Sequence, residues 1–448
     1  MSLNILSARN TAALENVTIA NGTTLTELML AAVQGCTSFI QVHYPKNTFP
    51  SAAILVGTGH NGGDALGIGT QLLREGRTVT ALMEADRKAL KPLTVTMLDE
   101  FLAHGGNLIK VTSSNDLQHA QKNPHLSKVS FWIDGLFGFG LNRSVTGIGA
   151  QLIAFVNQQE KRVVSLDIPS GLSCDHGSLG GICIQANETL ALGVLKPAHV
   201  DDTVIEKLGQ VHCIPLEFST QRHRLNAPPW NAVEGSDLRE MLAYAKRPSG
   251  SHKISNGRVL VIAGSHRYPG AGVMACLGAG ISGAGMIHAC VPHSSQNALL
   301  TLMPEIIFER RMPSLEQFTA VVLGCGWVPG DELLFKEIVE HALQCGKPKL
   351  VIDAGAFVFA QKWLNSGKSF SDNTVLTPHT GEFARLFPEA AARMKTHSLE
   401  QRLNRLEAAA WAAQLSGAVV LLKGARSHVA HPSGEVTSIL HSSPLLAH

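Results

Sequence analysis

The sequence lacks paired cysteines, a strong net charge and a long apolar run. Its eight cysteines include no C-x-x-C pair, so we interpret them as small buried residues in a reducing compartment, which excludes a disulfide framework or a cysteine zinc site. Lys and Arg exceed Asp and Glu by only two, 37 against 35, which gives no indication of nucleic acid or an anionic membrane as a partner. The first ten residues lack an export signal, and we expect no later segment to span a bilayer. These absences predict a cytoplasmic protein.

The composition that is present is typical of α/β enzymes. Of 448 residues, 45% are apolar and 42 are glycine, enough for two cores and too many for one. Apolar runs separated by helical spacing predict a parallel, doubly wound sheet in the first half and a second α/β series from Gly257 onward. The polar, proline-containing segment Glu217 to Trp230 reads as a linker, and we predict domains at 1–216 and 226–448. The predicted strands are 53–56, 78–82, 107–111, 130–133 and 163–166, then 257–264, 287–291, 320–323, 349–352, 374–376 and 419–422.

A glycine-rich turn follows the first predicted strand. The run Gly57-x-Gly59-x-x-Gly62 fits the dinucleotide-binding fingerprint, and Glu84 lies at about the expected ~20-residue distance. Asp64 argues against a simple pyrophosphate site, because its carboxylate would repel the phosphates unless a cation or a sugar hydroxyl intervenes. We therefore favour a ribose or cation site over a turn that only connects a strand to a helix.

Three carboxylates stand at predicted strand ends: Asp64, Asp134 and Asp167. One such aspartate is often a helix cap, but three beside glycines predict a shared site at the carboxyl edge of the sheet. A like-charged cluster must either raise a pKa, which supplies a general acid or base, or hold a cation. Oxygens of Asn61, Asp134 and Ser170 suit a hard cation, which would leave Asp167 for proton transfer.

The strings Gly-Thr-Gly-His-Asn-Gly-Gly-Asp (57–64), Asp-Gly-Leu-Phe-Gly-Phe-Gly-Leu (134–141) and Asp-Ile-Pro-Ser-Gly-Leu (167–172) resemble the epimerase half of bacterial bifunctional NAD(P)H-hydrate repair enzymes. The resemblance implies a Rossmann-like domain in which Asp167 contacts the hydrate and supports inversion between its R and S forms. It also implies a potassium ion on Asn61, Asp134 and Ser170. The residues that it implies for hydrate binding are His60, Asn61, Gly62, Gly63, Asp64, Gly138, Phe139, Gly140, Leu141, Asn142, Arg143, Ser144 and Asp167.

In the second half, polar motifs follow four predicted strands and are expected to converge on one rim. This half resembles the ADP- or ATP-dependent NAD(P)H-hydrate dehydratases, which have a ribokinase-like α/β fold. The resemblance implies that Ala271, Gly326 and His379 touch the hydrate. ADP or ATP, with magnesium, would then be bound by Lys423, Gly424, Ala425, Arg426 and Ser427. Asp353-Ala-Gly355 replaces the usual Asp-Ala-Asp of those enzymes and removes one carboxylate.

The last residues depart further from that resemblance. After the predicted hairpin at 429–436 the sequence reads Ile439 to His448, where the dehydratases continue into a glycine-rich turn, a Gly-Asp pair and a helix. That aspartate would act as the base, and the glycines with the helix would receive the transferring phosphate. We therefore expect an incomplete ribokinase-like domain, truncated at its C-terminal end, that binds nucleotide weakly and turns over negligibly.

Together these motifs predict a metabolite-repair enzyme, an NAD(P)H-hydrate epimerase joined to an impaired dehydratase. Its partners would be small-molecule nicotinamide nucleotides, with no nucleic acid and no membrane, and we expect a homo-oligomer. Two alternatives stay open, a non-catalytic nucleotide-binding or scaffold protein and a ribokinase-like small-molecule kinase. Asp64 argues against a dinucleotide-dependent dehydrogenase.

Overall fold

The computed structural model describes residues 3–440 except 218–221, 224, 236, 238, 240–248 and 329–331. The chain forms two compact units, residues 2–232 and 233–448. The predicted domains, 1–216 and 226–448, stay a prediction, since part of the linker between them lies outside the described residues. The segment 441–448, on which the expected early end rests, also lies outside them.

The first unit is built on a parallel sheet, as the apolar runs predict. Within the described residues, seven strands pair in the order β10-β9-β6-β5-β2-β3-β4, and every pairing is parallel. Their bounds are β2 (Ser51–Val56), β3 (Thr78–Met83), β4 (Asn107–Lys110), β5 (Phe131–Gly135), β6 (Arg162–Leu166), β9 (Glu188–Leu192) and β10 (Gln210–Ile214). Four short strands lie outside this sheet: β1 (Leu3–Asn4), which pairs with β11 (Trp230–Val233), and the hairpin of β7 (Leu172–Ser173) with β8 (Gly177–Ser178).

Helices cover both faces of this sheet, and each face has its own apolar core. Ile54 and Phe131 belong to a core on one face, whereas Leu55 and Trp132 belong to a core on the other, because successive strand residues point to opposite faces. The α-helices are α1 (Ala8–Ala20), α2 (Leu25–His43), α3 (His60–Arg74), α4 (Pro92–Ala103), α5 (Ser114–Gln121), α6 (Pro124–Ser127), α7 (Gly147–Asn157) and α8 (Ile205–Leu208).

The helix α2 begins at a capping box in which Thr24 and Glu27 satisfy each other's backbone N–H groups. Contrary to the expectation that no segment could span a bilayer, α2 is long and apolar enough to do so. Seven of its residues are buried, and Val33, Cys36 and Ile40 among them pack into the core of the first unit. A core helix passes the same test of length and composition, so α2 is weak support for a membrane span.

The order of the strands determines where a ligand fits. The chain adds β3 and β4 on one side of β2 and then returns to place β5 on the other side. Ligands of open α/β sheets bind outside the carboxyl ends of the strands at such a reversal. The glycine turn after β2 and the Leu136–Leu141 segment after β5 meet at this point.

The second unit also has a mostly parallel sheet, with the order β20-β19-β18-β17-β16-β15-β12-β13-β14 in the described residues. In this order β19 alone runs in the opposite direction, so its pairings with β18 and with β20 are antiparallel. The strands are β12 (Arg258–Ile262), β13 (Met286–Cys290), β14 (Ile307–Phe308), β15 (Ala320–Leu323), β16 (Lys349–Ile352), β17 (Thr374–Leu376), β18 (Val419–Leu422), β19 (His428–Ala430) and β20 (Val436–Ile439). The α-helices are α9 (Pro269–Ile281), α10 (His293–Leu302), α11 (Glu332–Cys345), α12 (Phe357–Asn365), α13 (Thr380–Leu386), α14 (Pro388–Lys395) and α15 (Arg405–Ser416). The predicted α/β class is confirmed for both units.

Candidate active site

A cavity of about 480 Å³ opens at the carboxyl ends of the strands of the first unit, within the usual size range of small-molecule sites. Its lining combines apolar side chains with three acidic side chains, two lysines and one histidine. Among the lining residues are Glu15, His60, Asn61, Asp64, Lys91, Gly138, Phe139, Gly140, Leu141, Asp167 and Lys196.

Two glycines make the turn after β2 possible. A Cβ at Gly57 would lie 1.7 Å from the carbonyl oxygen of Leu136, and one at Gly62 would lie 2.1 Å from that of Gly57. Both distances are far below van der Waals contact, so no side chain fits at either position. The close approach brings the start of α3 against the segment after β5.

Two of the three predicted carboxylates line the cavity, Asp64 and Asp167. The third, Asp134, is fully buried outside the lining, so the expectation that all three would share one pocket is wrong for this residue. Its carboxylate accepts hydrogen bonds from Ser165 Oγ at 2.9 Å and from the backbone N–H and Oγ of Ser170 at 2.8 and 2.6 Å. Ser170 Oγ in turn accepts from the N–H of Phe137 at 2.8 Å. Asp134 therefore holds Phe137, a residue of the cavity lining, through Ser170.

Asn61, which lines the cavity, also holds the segment after β5. Its Nδ2 donates to the carbonyl oxygens of Phe137 at 2.9 Å and Leu166 at 3.3 Å. Its Oδ1 is buried and has no hydrogen-bond partner among the described residues. In the same part of the chain, no group of three His, Cys, Asp or Glu side chains could hold a metal ion.

Asp167 has a strained backbone, and the two oxygens of its carboxylate have different surroundings. Its φ is +63°, a left-handed conformation that residues other than glycine adopt at a cost of about 1–3 kcal/mol. Lys196 Nζ forms a salt bridge with Oδ1 of Asp167, and both side chains are buried. The other oxygen, Oδ2, is buried without a partner among the residues that the structure describes. Asp167 therefore offers one unoccupied oxygen to a ligand.

Burial and like charge raise the pKa values of the other two acids in the cavity. Burial raises the pKa of Asp64 well above its ordinary value, and the negative charges of Asp167 and Glu15 add to this effect. Burial also raises the pKa of Glu15, although Lys196 opposes it. At the rim, burial and the charge of Lys91 lower the pKa of His60. The cavity thus pairs an ion-paired carboxylate at Asp167 with a carboxyl group that favours its neutral form at Asp64.

We expect Asp64→Asn to raise the free energy of unfolding of the first unit at neutral pH. Below the ordinary value of 3.8 Asp64 is protonated in both states and contributes nothing. As pH rises above that value, the Asp64 carboxyl ionises in the unfolded chain but stays protonated in the folded chain until the pH reaches its raised pKa. The free energy of unfolding therefore falls by about 1.4 kcal/mol for each unit by which folding raises this pKa. Asparagine removes this loss, and its advantage shrinks as pH falls towards 3.8.

Urea unfolding at about pH 4 and about pH 7.5 measures this difference. The partly exposed residue Asp116 is the control, because hydrogen bonds from Thr112 and Ser113 lower its pKa, so Asp116→Asn should not stabilise the protein at neutral pH. Equal stability of Asp64→Asn and the parent protein at both pH values would contradict the expectation.

The structure brings together part of the predicted hydrate-binding set. His60, Asn61, Asp64, Gly138, Phe139, Gly140 and Leu141 line the cavity, whereas Gly62, Gly63, Asn142, Arg143 and Ser144 do not. Glu84, the acidic residue of the dinucleotide fingerprint, also lies outside the lining, and burial raises its pKa to about 7. Sequence reasoning missed Glu15, Lys91 and Lys196. Only Lys196 carries a local signal, since a charged residue directly after the apolar run 190–195 must find a partner if it is buried.

In the second unit, the predicted residues lie in two groups. A Cβ at Gly326, whose φ is +75°, would lie 2.6 Å from the Cβ of Ala271, so these two positions are in contact. His379 pairs with Lys423 across a short parallel bridge, and Lys423 Nζ lies 2.9 Å from Oδ1 of Asp353. The ammonium group of Lys423, which we expected to contact a nucleotide, therefore forms an ion pair with Asp353.

The loop after β18 is held by hydrogen bonds between two of its own residues, Gly424 and Ser427. The N–H of Gly424 donates to Ser427 Oγ at 3.4 Å, and Ser427 Oγ donates to the carbonyl oxygen of Gly424 at 3.2 Å. Arg426 is buried, with 3% of its surface exposed. His379 Nδ1 accepts N–H bonds from Gly381 and Glu382 at the start of α13, so it caps that helix through this nitrogen.

Comparison with known proteins matches both units. Residues 25–198 match the family described as YjeF-related protein N-terminus, and residues 259–448 match the family described as NAD(P)H-hydrate dehydratase. A bifunctional NAD(P)H-hydrate repair enzyme from Gloeobacter violaceus is 34% identical over 99% of this chain and 85% of its own length. Another from Escherichia coli is 30% identical over 92% of this chain and 75% of its own length.

A solved ADP/ATP-dependent NAD(P)H-hydrate dehydratase from Bacillus subtilis, co-crystallized with ATP/Mg2+, is 25% identical over 45% of this chain and 70% of its own, with a TM-score of 0.37. The comparisons do not confirm the early end of the second domain or its impairment, and both stay predictions.

Proposed function

This chain belongs to the bifunctional NAD(P)H-hydrate repair enzymes, and we propose that its cavity interconverts the R and S hydrates of NADH and NADPH. The second unit is the dehydratase domain, which in intact relatives returns the S hydrate to NAD(P)H, and we propose that its turnover here is impaired. The observation that carries the proposal for the first unit is the contrast between two of the three acids of its cavity. Asp167 is held by Lys196, whereas Asp64 forms no hydrogen bond with the described residues and burial raises its pKa well above its ordinary value.

The chemistry of the hydrate requires such a pair. Water adds to a dihydronicotinamide at a ring carbon bonded to nitrogen, because the nitrogen lone pair stabilises the cation formed there. Inversion then needs a proton on the hydroxyl, loss of water with the C–O electrons, and formation of a C=N bond from that lone pair. Water returns to the opposite face and loses one proton. We assign Asp64 as the acid that protonates the leaving hydroxyl group, and Oδ2 of Asp167 as the base that removes a proton from the returning water. Exchange with solvent then moves a proton from Asp167 back to Asp64.

We further propose that potassium is bound at Asn61, Asp134 and Ser170. Two observations support the fit: Oδ1 of Asn61 is buried without a partner, and the partners of the buried Asp134 carboxylate are neutral groups of Ser165, Ser170 and Leu136. A potassium ion there would neutralise Asp134 and stabilise the wall formed by the segment after β5.

For the second unit we propose hydrate contacts at Ala271, Gly326 and His379. ADP or ATP with magnesium would be bound by the loop Lys423, Gly424, Ala425, Arg426 and Ser427. Lys423 Nζ directs one of its three hydrogens at Asp353, and we propose that another would donate to a phosphate of the nucleotide. We also propose that the protein acts in the cytoplasm as a homo-oligomer on small-molecule nicotinamide nucleotides.

Incubation of the purified protein with separated R and S NADH hydrates tests the proposed function. We expect each hydrate to approach the same mixture much faster than without protein, and at least about tenfold faster in potassium than in sodium chloride at equal ionic strength. Chromatography of the two hydrates measures both rates. Addition of ADP or ATP with magnesium to the same incubation measures dehydration. Equilibration no faster than in buffer alone would overturn the epimerase assignment, and equal rates in the two salts would overturn the potassium site.

A further inference from the structure

A buried turn after β9 holds Asp167 at two points. The turn consists of Lys196 and the following 3-10 helix, Pro197–Val200, and both Lys196 and His199 are fully or almost fully buried. Lys196 Nζ contacts the carboxylate of Asp167, while His199 Nε2 lies 2.7 Å from the carbonyl oxygen of the same residue. Side chain and backbone of Asp167 are thus held from one element.

The hydrogen bonds of His199 determine its tautomer. Its Nδ1 lies 3.0 Å from the backbone nitrogen of Lys196, and a backbone N–H can only donate, so Nδ1 accepts. The carbonyl oxygen of Asp167 can only accept, so Nε2 carries the hydrogen and donates it. His199 is therefore a neutral imidazole that joins the Lys196 backbone to the Asp167 backbone.

Lys196 has no hydrogen left for a ligand. Its ammonium group has three, and they are directed at Oδ1 of Asp167, the carbonyl oxygen of Leu192 at 3.2 Å and that of Val194 at 3.0 Å. The N–H of Leu192 also approaches Oδ1 of Asp167, at 3.4 Å. The contacts from Lys196 and Leu192 both reach Oδ1, whereas Oδ2 is buried without a partner among the described residues.

The backbone contact has a separate purpose. The left-handed φ of Asp167 persists only if its surroundings over-determine it. The N–H of Asp167 donates to Leu190 at 2.8 Å, and His199 holds the opposite end of the residue through its carbonyl oxygen. A rotation of the backbone towards an ordinary φ would break the His199 contact and move Oδ2 away from the hydrate.

We infer that His199 is a positioning residue for the epimerase reaction, which acts through the carbonyl oxygen of Asp167. His199 is absent from the lining of the cavity and cannot touch the substrate. The inference rests on the proposed function of the first unit, and it adds a residue to the machinery of that site.

Two variants separate positioning from simple structural support, because each keeps one of the two ring hydrogen bonds described above, to Lys196 or to Asp167. In His199→Gln the amide nitrogen takes the place of Nε2 and still donates to Asp167. In His199→Asn the amide oxygen takes the place of Nδ1 and still accepts from Lys196, but nothing reaches Asp167. We expect His199→Asn to lose on the order of a hundredfold in kcat, with KM nearly unchanged, and His199→Gln to remain within about fivefold of the parent.

Initial rates with separated R and S NADH hydrates, corrected for the folded fraction, provide the comparison. His119→Asn, an exposed change on α5, is the control and should leave the rate unchanged. A purely structural role predicts similar losses of stability in the two His199 variants and an unaltered kcat per folded molecule, and that result would overturn the inference. So would a folded His199→Gln protein as slow as His199→Asn.

A crystal structure of His199→Asn provides a readout that does not depend on activity. We expect the φ of Asp167 to leave the left-handed region. If the parent protein fails to interconvert the hydrates, the proposed function fails, while this structure still decides whether His199 holds Asp167. An Asp167 unchanged in φ and carboxylate position would overturn the inference by itself.

Discussion

Interconversion of the R and S hydrates is expected to fall by about 10²- to 10⁴-fold in Asp167→Asn, the usual effect of removing a general acid or base. The amide has nearly the same shape as the carboxylate but cannot accept the proton that Oδ2 accepts. Asparagine also tolerates the left-handed φ better than most residues do, so the backbone at position 167 should persist. Chromatography of the hydrates over time measures the rate.

The controls for this variant lie at the surface and in the cavity. Asp86→Asn removes an exposed carboxylate that pairs with Lys110 and should leave the rate unchanged. Asp64→Asn removes the second cavity acid and should also slow the reaction. An Asp167→Asn protein that folds and interconverts the hydrates at the parent rate would move the chemistry away from Asp167, with Glu15 as the next candidate.

Lys196→Met should lower the free energy of unfolding of the first unit by about 3–5 kcal/mol, because it leaves a buried charge without its partner. Methionine keeps most of the apolar stem of lysine but removes the ammonium group. Its loss leaves Oδ1 of Asp167 with only the long contact to the N–H of Leu192. Urea unfolding followed by hydrogen exchange of peptides from β5 and β6 reports this unit separately from the other one.

A double variant distinguishes a lost ion pair from lost packing. Lys196→Met combined with Asp167→Asn leaves no unpaired buried charge, so it should be more stable than Lys196→Met alone. Lys110→Met, which breaks the exposed pair with Asp86, should cost less than about 1 kcal/mol. Equal losses in Lys196→Met and Lys110→Met would show that the buried pair contributes no more than a surface pair.

Much of the fold follows from apolar runs alone. The predicted strands at 78–82 and 163–166 agree with β3 and β6 within one residue, because strands buried on both faces are nearly continuous in apolar residues. The strands β9 and β10 were missed. They follow one another at the edge of the sheet, and β10 carries Gln210 and His212 within a short sequence, so its apolar signal is weak.

The sequence predicted those residues of the site that lie next to a strand end, but not the contacts that distant segments make with them. Asp64 and Asp167 follow strand ends, and both line the cavity. Asp134 lies within β5, one residue before its end, so it shares a face of the sheet with Trp132, and it is buried outside the cavity lining. The contacts of Lys196 and His199 with Asp167 depend on a turn some thirty residues later that returns beneath the end of β6, and no periodicity encodes such a return.

The saturated hydrogen bonding of Lys196 has a consequence for covalent probes of this cavity. Two lysines line it, but an acylating or aldehyde reagent needs an amine with an available lone pair. Lys196 would have to give up its carboxylate and two carbonyl partners before it could react. Lys91 is exposed at the rim, so an electrophile built onto a nicotinamide-like scaffold should be aimed there and leave the acid–base centre intact.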